Sequence, residues 1–215
     1  MKAENDISNI RKDYRMSSLL ENEVDADPIL QFEKWYQTAK DCDIDEPNAM
    51  TLATCVSGKP SARVVLLKGF KESGFLFYTN YDSRKGKEIE LNAFVSLVFF
   101  WKELERQVRI EGIAEKTAPE ESDEYFAYRP RQSQIGAWSS PQSEVINDRE
   151  MLQKNVAYYN NKFETENIPR PQNWGGYIVH PNLIEFWQGR PGRLHDRLQY
   201  TIDEKKKWKI ERLAP

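Results

Sequence analysis

Arginine and histidine alternate with other residues in the segment RLHDR (193–197), shortly after the aromatic run EFWQG (185–189). If the segment is extended, alternation places Arg193, His195 and Arg197 on one face. Two fixed cations and an imidazole beside aromatic rings suit an anionic, ring-shaped ligand. The alternative is an exposed edge strand whose arginines pair with neighbouring carboxylates.

A second cationic pattern, YTNYDSRKG (78–86), lies where a predicted strand is followed by a predicted helix. Asp82 or Ser83 is expected to cap that helix, which places Arg84 and Lys85 in its first turn. Cations at this end oppose the helix dipole, and a bound anion would relieve the conflict. The pattern therefore predicts a phosphate site, with a solvated basic turn as the alternative.

Two further segments carry cations. In RVVLLK (63–68), strict alternation sends Arg63 and Lys68 to opposite faces of a strand, so we expect them to serve different ligands. The alternative is that both side chains extend from strand ends into water. The segment 125–133 offers Arg129 together with tyrosine and serine hydroxyls. It predicts a second phosphate site, unless it is only a charged helix C-terminus.

Composition indicates one globular chain without a global charge bias. The 215 residues fit a single medium-sized domain, and the net charge of -3 means that anion sites must come from local clusters. Bulk nucleic-acid binding is therefore not expected. Cys42 and Cys55 lack partners at ligand spacing, so we expect reduced thiols and no metal. The charged N-terminus and the lack of a long apolar run predict no membrane partner and a cytoplasmic protein.

The elements that must position these clusters follow from the periodicity. Residues 1–25 are polar and predict a flexible arm, and a helix is expected to begin at Asp27-Pro28. Short loops between apolar runs favour antiparallel strands in a meander or barrel over a parallel sheet. The expected strands are 50–56, 62–70, 75–80, 94–101, 106–113, 176–179, 183–187, 194–202 and 208–213, and the expected later helices are one through Ile89 and Leu91, 119–128 and 143–163.

Across almost the whole chain these segments resemble the pyridoxine (pyridoxamine) 5'-phosphate oxidase family. Besides the cationic segments, the resemblance rests on LERQV (104–108), RPRQSQIGAW (129–138), WGG (174–176) and ERLAP (211–215). It implies an antiparallel FMN-binding split β-barrel, mainly β with flanking α-helices. Residues 26–215 would form this single domain, including its C-terminal dimerisation and active-site strands, and residues 1–25 would form the N-terminal lid. A homodimer with active sites at the subunit interface is also implied.

The implied reaction is the oxidation of pyridoxine 5'-phosphate or pyridoxamine 5'-phosphate by O2 to pyridoxal 5'-phosphate, with release of H2O2 and, from the amine, NH3. A hydride would pass from the C4' carbon of the substrate to N5 of FMN. By resemblance Arg193 clamps the pyridine ring and His195 hydrogen-bonds or moves a proton near its substituents. The residues that match the FMN set are Arg63, Val64, Val65, Leu66, Leu67, Lys68, Tyr78, Thr79, Arg84, Lys85, Gln107, Gln142, Ser143, Trp187 and Arg197. Those that match the substrate set are Arg11, Tyr14, Lys68, Tyr125, Arg129, Ser133, Arg193, Leu194 and His195.

Two other functions stay open on the sequence. One is a different flavin-dependent split-barrel oxidoreductase, which would bind flavin that pyridoxine 5'-phosphate does not reduce. The other is a non-catalytic carrier of pyridoxal phosphate or flavin, which would retain the product tightly without turnover. The full set of substrate-matching donors argues against the first.

Overall fold

The computed structural model of the protein describes residues 13–205 and 207–215. Within those ranges the chain forms five α-helices, a short 3-10 turn at Pro191–Arg193 and nine strands. The helices are α1 (Pro28–Asp41), α2 (Arg84–Leu91), α3 (Pro119–Tyr128), α4 (Arg131–Ser139) and α5 (Arg149–Lys162). The strands are β1 (Ala49–Val56), β2 (Lys59–Leu66), β3 (Gly69–Lys71), β4 (Gly74–Asn80), β5 (Phe94–Trp101), β6 (Arg106–Lys116), β7 (Trp174–Gln188), β8 (Asp196–Ile202) and β9 (Trp208–Arg212).

The strands pair in the order β2-β1-β5-β6-β7-β4-β3, and β8 pairs with both β7 and β9. In the hairpin of β1 and β2, Val56 lies opposite Lys59 and Leu52 lies opposite Arg63. Strands β3 with β4, β4 with β7, β7 with β8, and β8 with β9 are likewise antiparallel. The predicted antiparallel sheet with flanking helices is confirmed.

The chain divides into two compact units. The first comprises the described residues up to Pro47 together with Val98–Ile110 and Leu183–Pro215, and the second comprises Asn48–Leu97 and Glu111–Asn182. Strands β5, β6 and β7 each contribute residues to both units.

Helix α1 supplies much of the core of the first unit. Asp27 caps it by accepting a hydrogen bond from the Ile29 backbone N–H at 2.8 Å, and Pro28 follows at the first helical position. This start agrees with the prediction. Proline is favoured at the first helical position, because it has no N–H that would be left unpaired there. Phe32 and Trp35 are buried, and the ring of Phe32 lies 5.1 Å from that of Phe99. In the second unit a buried cluster contains Phe126, Ile135, Phe163, Ile168 and Trp174.

Several boundaries differ from the prediction. Strand β2 ends at Leu66, and the Lys68 backbone N–H donates to the Leu76 carbonyl, so the expected strand 62–70 is two strands. The segment 194–202 becomes a strand only from Asp196, because Gly192 and Arg193 both adopt φ of 64° in the 3-10 turn before it. The expected alternation of 193, 195 and 197 on one strand face was therefore wrong.

Three other elements also depart from the prediction. Helix α4 was not predicted, and α5 begins at Arg149 rather than at residue 143. Strand β7 is continuous where two strands, 176–179 and 183–187, were expected, so the residues between them, His180 among them, also lie in a strand. Among the helices of the described residues, none combines the length and the apolar character that a membrane crossing requires.

Candidate active site

A groove of about 830 Å³ opens in the second unit, a size typical of small-molecule sites. Residues from β2, β4, α2, α3, α4 and β7 line it. Sequence-predicted residues that it brings together are Arg63, Val64, Val65, Leu66, Lys68, Tyr78, Thr79, Lys85, Tyr125, Arg129, Ser133, Gln142 and Ser143.

Lys68, Leu67 and Arg84 lie in other places than the sequence suggested. Arg63 and Lys68 line the same groove, because Lys68 follows the end of β2 and the strand alternation no longer applies to it. The expectation that they point to opposite faces of one strand was wrong, whereas their service to different ligands stays a prediction. Leu67 is a buried core residue and Arg84 lines a neighbouring groove, so neither lines the main one.

The start of α2 forms the cationic end of the groove. Ser83 is the helix cap, and its side-chain oxygen accepts a hydrogen bond from the Gly86 N–H at 3.3 Å. Lys85 donates from Nζ to Thr79 Oγ1 and to Gln142 Oε1, each at 3.2 Å. Burial, and after it the charge of Arg63, lowers the pKa of Lys85. An anion bound here would offset both effects, as predicted for a phosphate site.

The same helix start needs a glycine. A Cβ atom at Gly86 would lie 2.0 Å from the backbone oxygen of Tyr81, far inside van der Waals contact. The close approach of Gly86 to the Tyr81 backbone lets α2 begin shortly after β4. It also keeps Lys85 within reach of Thr79 and Ser83.

Glu88 on α2 connects two arginines of the predicted FMN set. Its Oε2 accepts hydrogen bonds from Arg63 at 2.9 Å and from the Thr54 hydroxyl at 2.6 Å, and its Oε1 accepts from Arg84 Nε at 2.8 Å. Burial alone would raise the pKa of Glu88, but the bonds from Thr54, Arg84 and Arg63 lower it to about 2. Neither Glu88 nor Thr54 was predicted, although the i, i+4 spacing of Arg84 and Glu88 was a usable signal.

Aromatic rings form the other end of the groove. The rings of Tyr78 and Tyr125 stack at 3.9 Å, and that of Trp174 stacks on Tyr78 at 5.4 Å. The Arg129 guanidinium lies 4.5 Å from the centre of the Trp174 ring. Burial raises the pKa of Tyr78 to about 12, so its phenol stays neutral. Trp174 was part of a sequence motif but was not predicted as a site residue.

Arg129 has an unused donor in this groove. Its NH1 nitrogen is buried and has no hydrogen-bond partner among the described residues. Burial also lowers the pKa of Arg129. A buried cationic donor left unpaired costs free energy, and an anionic ligand oxygen would satisfy it. The donor set therefore fits a second phosphate beside the one expected at α2.

The first unit contains a separate aromatic cluster around His195. The Trp187 ring lies 4.7 Å from the His195 ring, and Tyr14 lies edge-on to Trp187 at 5.7 Å. His195 Nδ1 accepts the backbone N–H of Arg190 at 3.1 Å, so the neutral imidazole carries its proton on Nε2. A Cβ at Gly189 would lie 2.7 Å from the Tyr14 ring, so glycine makes room for this arm residue.

The remaining predicted residues of this unit lie on β6, on β8 and at the 3-10 turn. Arg193 and Leu194 are exposed at the 3-10 turn, and Gln107 is half-buried on β6. Arg197 donates from Nε to Glu185 Oε1 at 2.7 Å, and Arg109 donates to Glu185 Oε2 at 2.6 Å. Pairing of Arg197 with Glu185 is the alternative that the sequence left open.

Glu185 is the buried centre of this ion-pair cluster. Its side chain is 3% exposed. Burial raises the pKa of its carboxyl, but the bonds from Arg197 and Arg109 outweigh burial and the net shift is downward. The bond to Glu185 raises the pKa of Arg197 in turn. The pair therefore fixes the guanidinium of a predicted flavin contact.

The N-terminal arm is tied to the first unit through Glu105. The backbone N–H groups of Arg15 and Met16 donate to Glu105 Oε2 at 2.8 and 3.1 Å, and the Leu19 N–H donates to Asp196 at 3.1 Å. Tyr14, a predicted lid residue, is thereby held beside Trp187. Arg11, the other predicted lid residue, lies outside the described residues.

Comparisons with known proteins cover nearly the whole chain. The sequence model described as "Pyridoxamine 5'-phosphate oxidase" matches residues 37–163, and that described as "Pyridoxine 5'-phosphate oxidase C-terminal dimerisation region" matches residues 174–215. A curated relative from Acaryochloris marina, named pyridoxine/pyridoxamine 5'-phosphate oxidase, is 54% identical over 210 residues, which are 97% of this chain and 95% of the relative. A relative of the same name from Rubrobacter xylanophilus is 54% identical over 214 residues, covering 99% of this chain and 98% of the relative.

Solved structures show the same fold. PhzG from Burkholderia lata 383, crystallised with tetrahydrophenazine-1-carboxylic acid, is similar with a TM-score of 0.87 and 31% identity, covering 93% of this chain and 99% of that one. A pyridoxamine 5'-phosphate oxidase-related, FMN binding protein from Nostoc punctiforme has a TM-score of 0.68 at 14% identity, covering 86% of this chain and 96% of that one. The latter likeness concerns the fold alone.

Proposed function

Because this chain belongs to the pyridoxamine 5'-phosphate oxidase family and is a pyridoxine/pyridoxamine 5'-phosphate oxidase with FMN as its cofactor, we propose that the groove of the second unit holds both FMN and the substrate phosphate. The observation that carries the proposal is the presence of two anion-suited places in one groove. One is the start of α2 with Lys85, and the other is the unpaired buried donor of Arg129.

The first place suits the flavin phosphate. Lys85 Nζ lies there within hydrogen-bond reach of the hydroxyl oxygens of Thr79 and Ser83. Backbone N–H groups at the start of α2 and the positive end of its dipole add to the attraction for an anion. Gln142 Oε1 accepts hydrogen bonds from both Lys85 Nζ and the Thr79 hydroxyl, each at 3.2 Å, and so holds these two donors beside each other.

The second place suits the phosphate of the substrate. Arg129 is held by its stack on Trp174, so its free NH1 has a fixed direction. Lys68, Tyr125 and Ser133 line the same groove and complete a set of donors. Such a set favours a phosphorylated substrate over the uncharged ring alone, because a buried cation without its anion is costly.

FMN, when bound, would supply hydride acceptance and reoxidation by O2, so the residues of this chain contribute orientation and electrostatics more than a nucleophile. We assign Arg193 to clamping the pyridine ring. His195 would donate from Nε2 to a ring substituent, or move a proton there; the Arg190 N–H bonded to Nδ1 supports this, because it leaves Nε2 as the donor. Tyr14 would cover the ring as part of the lid.

The C-terminal residues 174–215 match the dimerisation region of the family. The proposal extends this to a homodimer whose two active sites lie at the subunit interface and take residues from both chains. It also places the enzyme in the cytoplasm, where thiols such as Cys42 and Cys55 stay reduced.

The decisive experiment is the visible spectrum of the protein with FMN, recorded without oxygen before and after adding pyridoxine 5'-phosphate, and again after admitting air. We expect the flavin absorbance to bleach and then recover, with pyridoxal 5'-phosphate and H2O2 formed. Flavin that binds but never bleaches would contradict the substrate assignment and favour another flavin-dependent oxidoreductase. Tight retention of pyridoxal 5'-phosphate without turnover would favour a carrier.

A further inference from the structure

One carboxylate joins two arginines of the predicted FMN set that lie on separate elements, Arg63 in the lining of the main groove and Arg84 in that of the neighbouring groove. Glu88 lies on α2, four residues after Arg84, while Arg63 lies on β2. Both arginines donate to it, one to each carboxylate oxygen. We propose that Glu88 is a positioning residue that sets the arginines around the FMN phosphate; the inference rests on the proposed function.

The hydrogen bonds restrict the side chains of the two arginines to different degrees. The terminal nitrogens of Arg63 donate to Glu88, to the hydroxyls of Thr54 and Ser61, and to the Leu52 carbonyl. Four hydrogen bonds hold this guanidinium, which acts as a fixed positive charge. Arg84 is bonded to Glu88 through Nε, so this bond does not use its two terminal nitrogens. Its side chain is 68% exposed, so Glu88 is what restricts its conformations.

Charge balance points the same way. Arg63, Arg84 and Lys85 carry three positive charges, and Glu88 stays ionised because its pKa is about 2. The cluster therefore has a net charge of about +2, which matches a phosphate monoester that carries nearly two negative charges near pH 7. Without Glu88 the cluster would gain charge and lose its geometry.

The gain of positive charge would strengthen FMN binding and the loss of geometry would weaken it, so the inference is testable. If Glu88 orients the arginines, its removal weakens binding. If Glu88 merely competes with the phosphate for them, its removal strengthens binding. Glutamine keeps the size of the side chain but cannot hold three donors, because its amide nitrogen is itself a donor.

The experiment measures dissociation constants of FMN for wild type and Glu88→Gln by quenching of flavin fluorescence, and those of riboflavin, which lacks the phosphate, by competition with FMN. We expect FMN to bind at least about tenfold more weakly to the variant, as losing a hydrogen bond to a charged group implies. Riboflavin should change less than about twofold. Glu90→Gln, an exposed neighbour on α2, is the matched control and should leave both constants unchanged.

Unchanged or tighter FMN binding by Glu88→Gln would overturn the inference, as would an equal loss for riboflavin. If Glu88→Gln does not fold, Thr54→Val tests the same link, because it removes the hydroxyl that bonds both Glu88 and Arg63. We expect it to weaken FMN binding about threefold without affecting riboflavin, and equal effects on the two ligands would again refute the role. Failure of the wild type to bind FMN would refute the proposed function instead.

Discussion

Replacing Glu185 with glutamine should destabilise the folded protein by about 2–3 kcal/mol at neutral pH. The carboxylate is 3% exposed and accepts bonds from Arg109 and Arg197, so the variant leaves two guanidinium groups facing a neutral amide. Removing one partner of a fully buried pair costs about 3–5 kcal/mol. Here the cost is smaller, because Arg109 and Arg197 are 30% and 29% exposed and water can partly rehydrate them.

The assay is urea unfolding at one fixed protein concentration, since the stability of an oligomer depends on concentration. A shift of the midpoint at an unchanged slope reports the change in stability. Glu103→Gln removes an exposed ion pair to Lys102 and is the matched control, with an expected loss below about 0.5 kcal/mol. A loss of less than about 1 kcal/mol for Glu185→Gln would refute the reasoning.

The pH dependence provides an independent check on Glu185. Its pKa is lower in the folded than in the unfolded protein, because Arg197 and Arg109 outweigh burial. Its contribution to stability is thus fully present above the unfolded value of about 4.3 and is lost as the pH falls through the folded pKa. We expect the stability gap between wild type and Glu185→Gln to narrow on acidification below that value. A gap that stays constant would contradict the pKa shift.

Three further predictions concern the site. Arg193→Ala and His195→Ala should each lower turnover of pyridoxine 5'-phosphate by about 100-fold or more while FMN stays bound, measured by steady-state kinetics and flavin absorbance; unchanged turnover, or a fall in turnover explained by weaker FMN binding, would contradict the assignment. Arg84→Ala combined with Lys85→Ala should weaken FMN binding at least about tenfold in a fluorescence titration, and unchanged affinity would exclude the α2 start as the phosphate site. Gly86→Ala should cost about 1–3 kcal/mol in urea unfolding, since its Cβ would lie 2.0 Å from a backbone oxygen; an unaltered midpoint would contradict that contact.

The sequence predicted the elements whose boundaries are set by residues close together in the chain. The cap and proline at Asp27-Pro28 set the start of α1, and Ser83 caps α2 with its cations in the first turn as expected. Strand β5 also has its predicted bounds. In each case the determining residues are neighbours in sequence, so the pattern contains the physical cause.

Features that depend on distant residues or on backbone angles were missed. Thr54 reaches Glu88 because the register of β1 on β2 puts Arg63 opposite Leu52, and no local pattern encodes that register. The left-handed backbone of Arg193 ends the expected alternation, although the residue is not glycine. Helix α4 contains Gly136 and follows Pro130, so its sequence is typical of a loop, yet burial of Ile135 stabilises it.

The attachment of the arm through Glu105 has an evolutionary consequence. The carboxylate holds the backbone N–H groups of Arg15 and Met16, and every amino acid except proline supplies such a group. Substitutions at these two positions can therefore accumulate without detaching the arm, whereas Glu105 and Gly189 are constrained by what they hold or admit. The side chains at positions 15 and 16, and the ligands that contact them, can therefore change while Tyr14 stays beside Trp187.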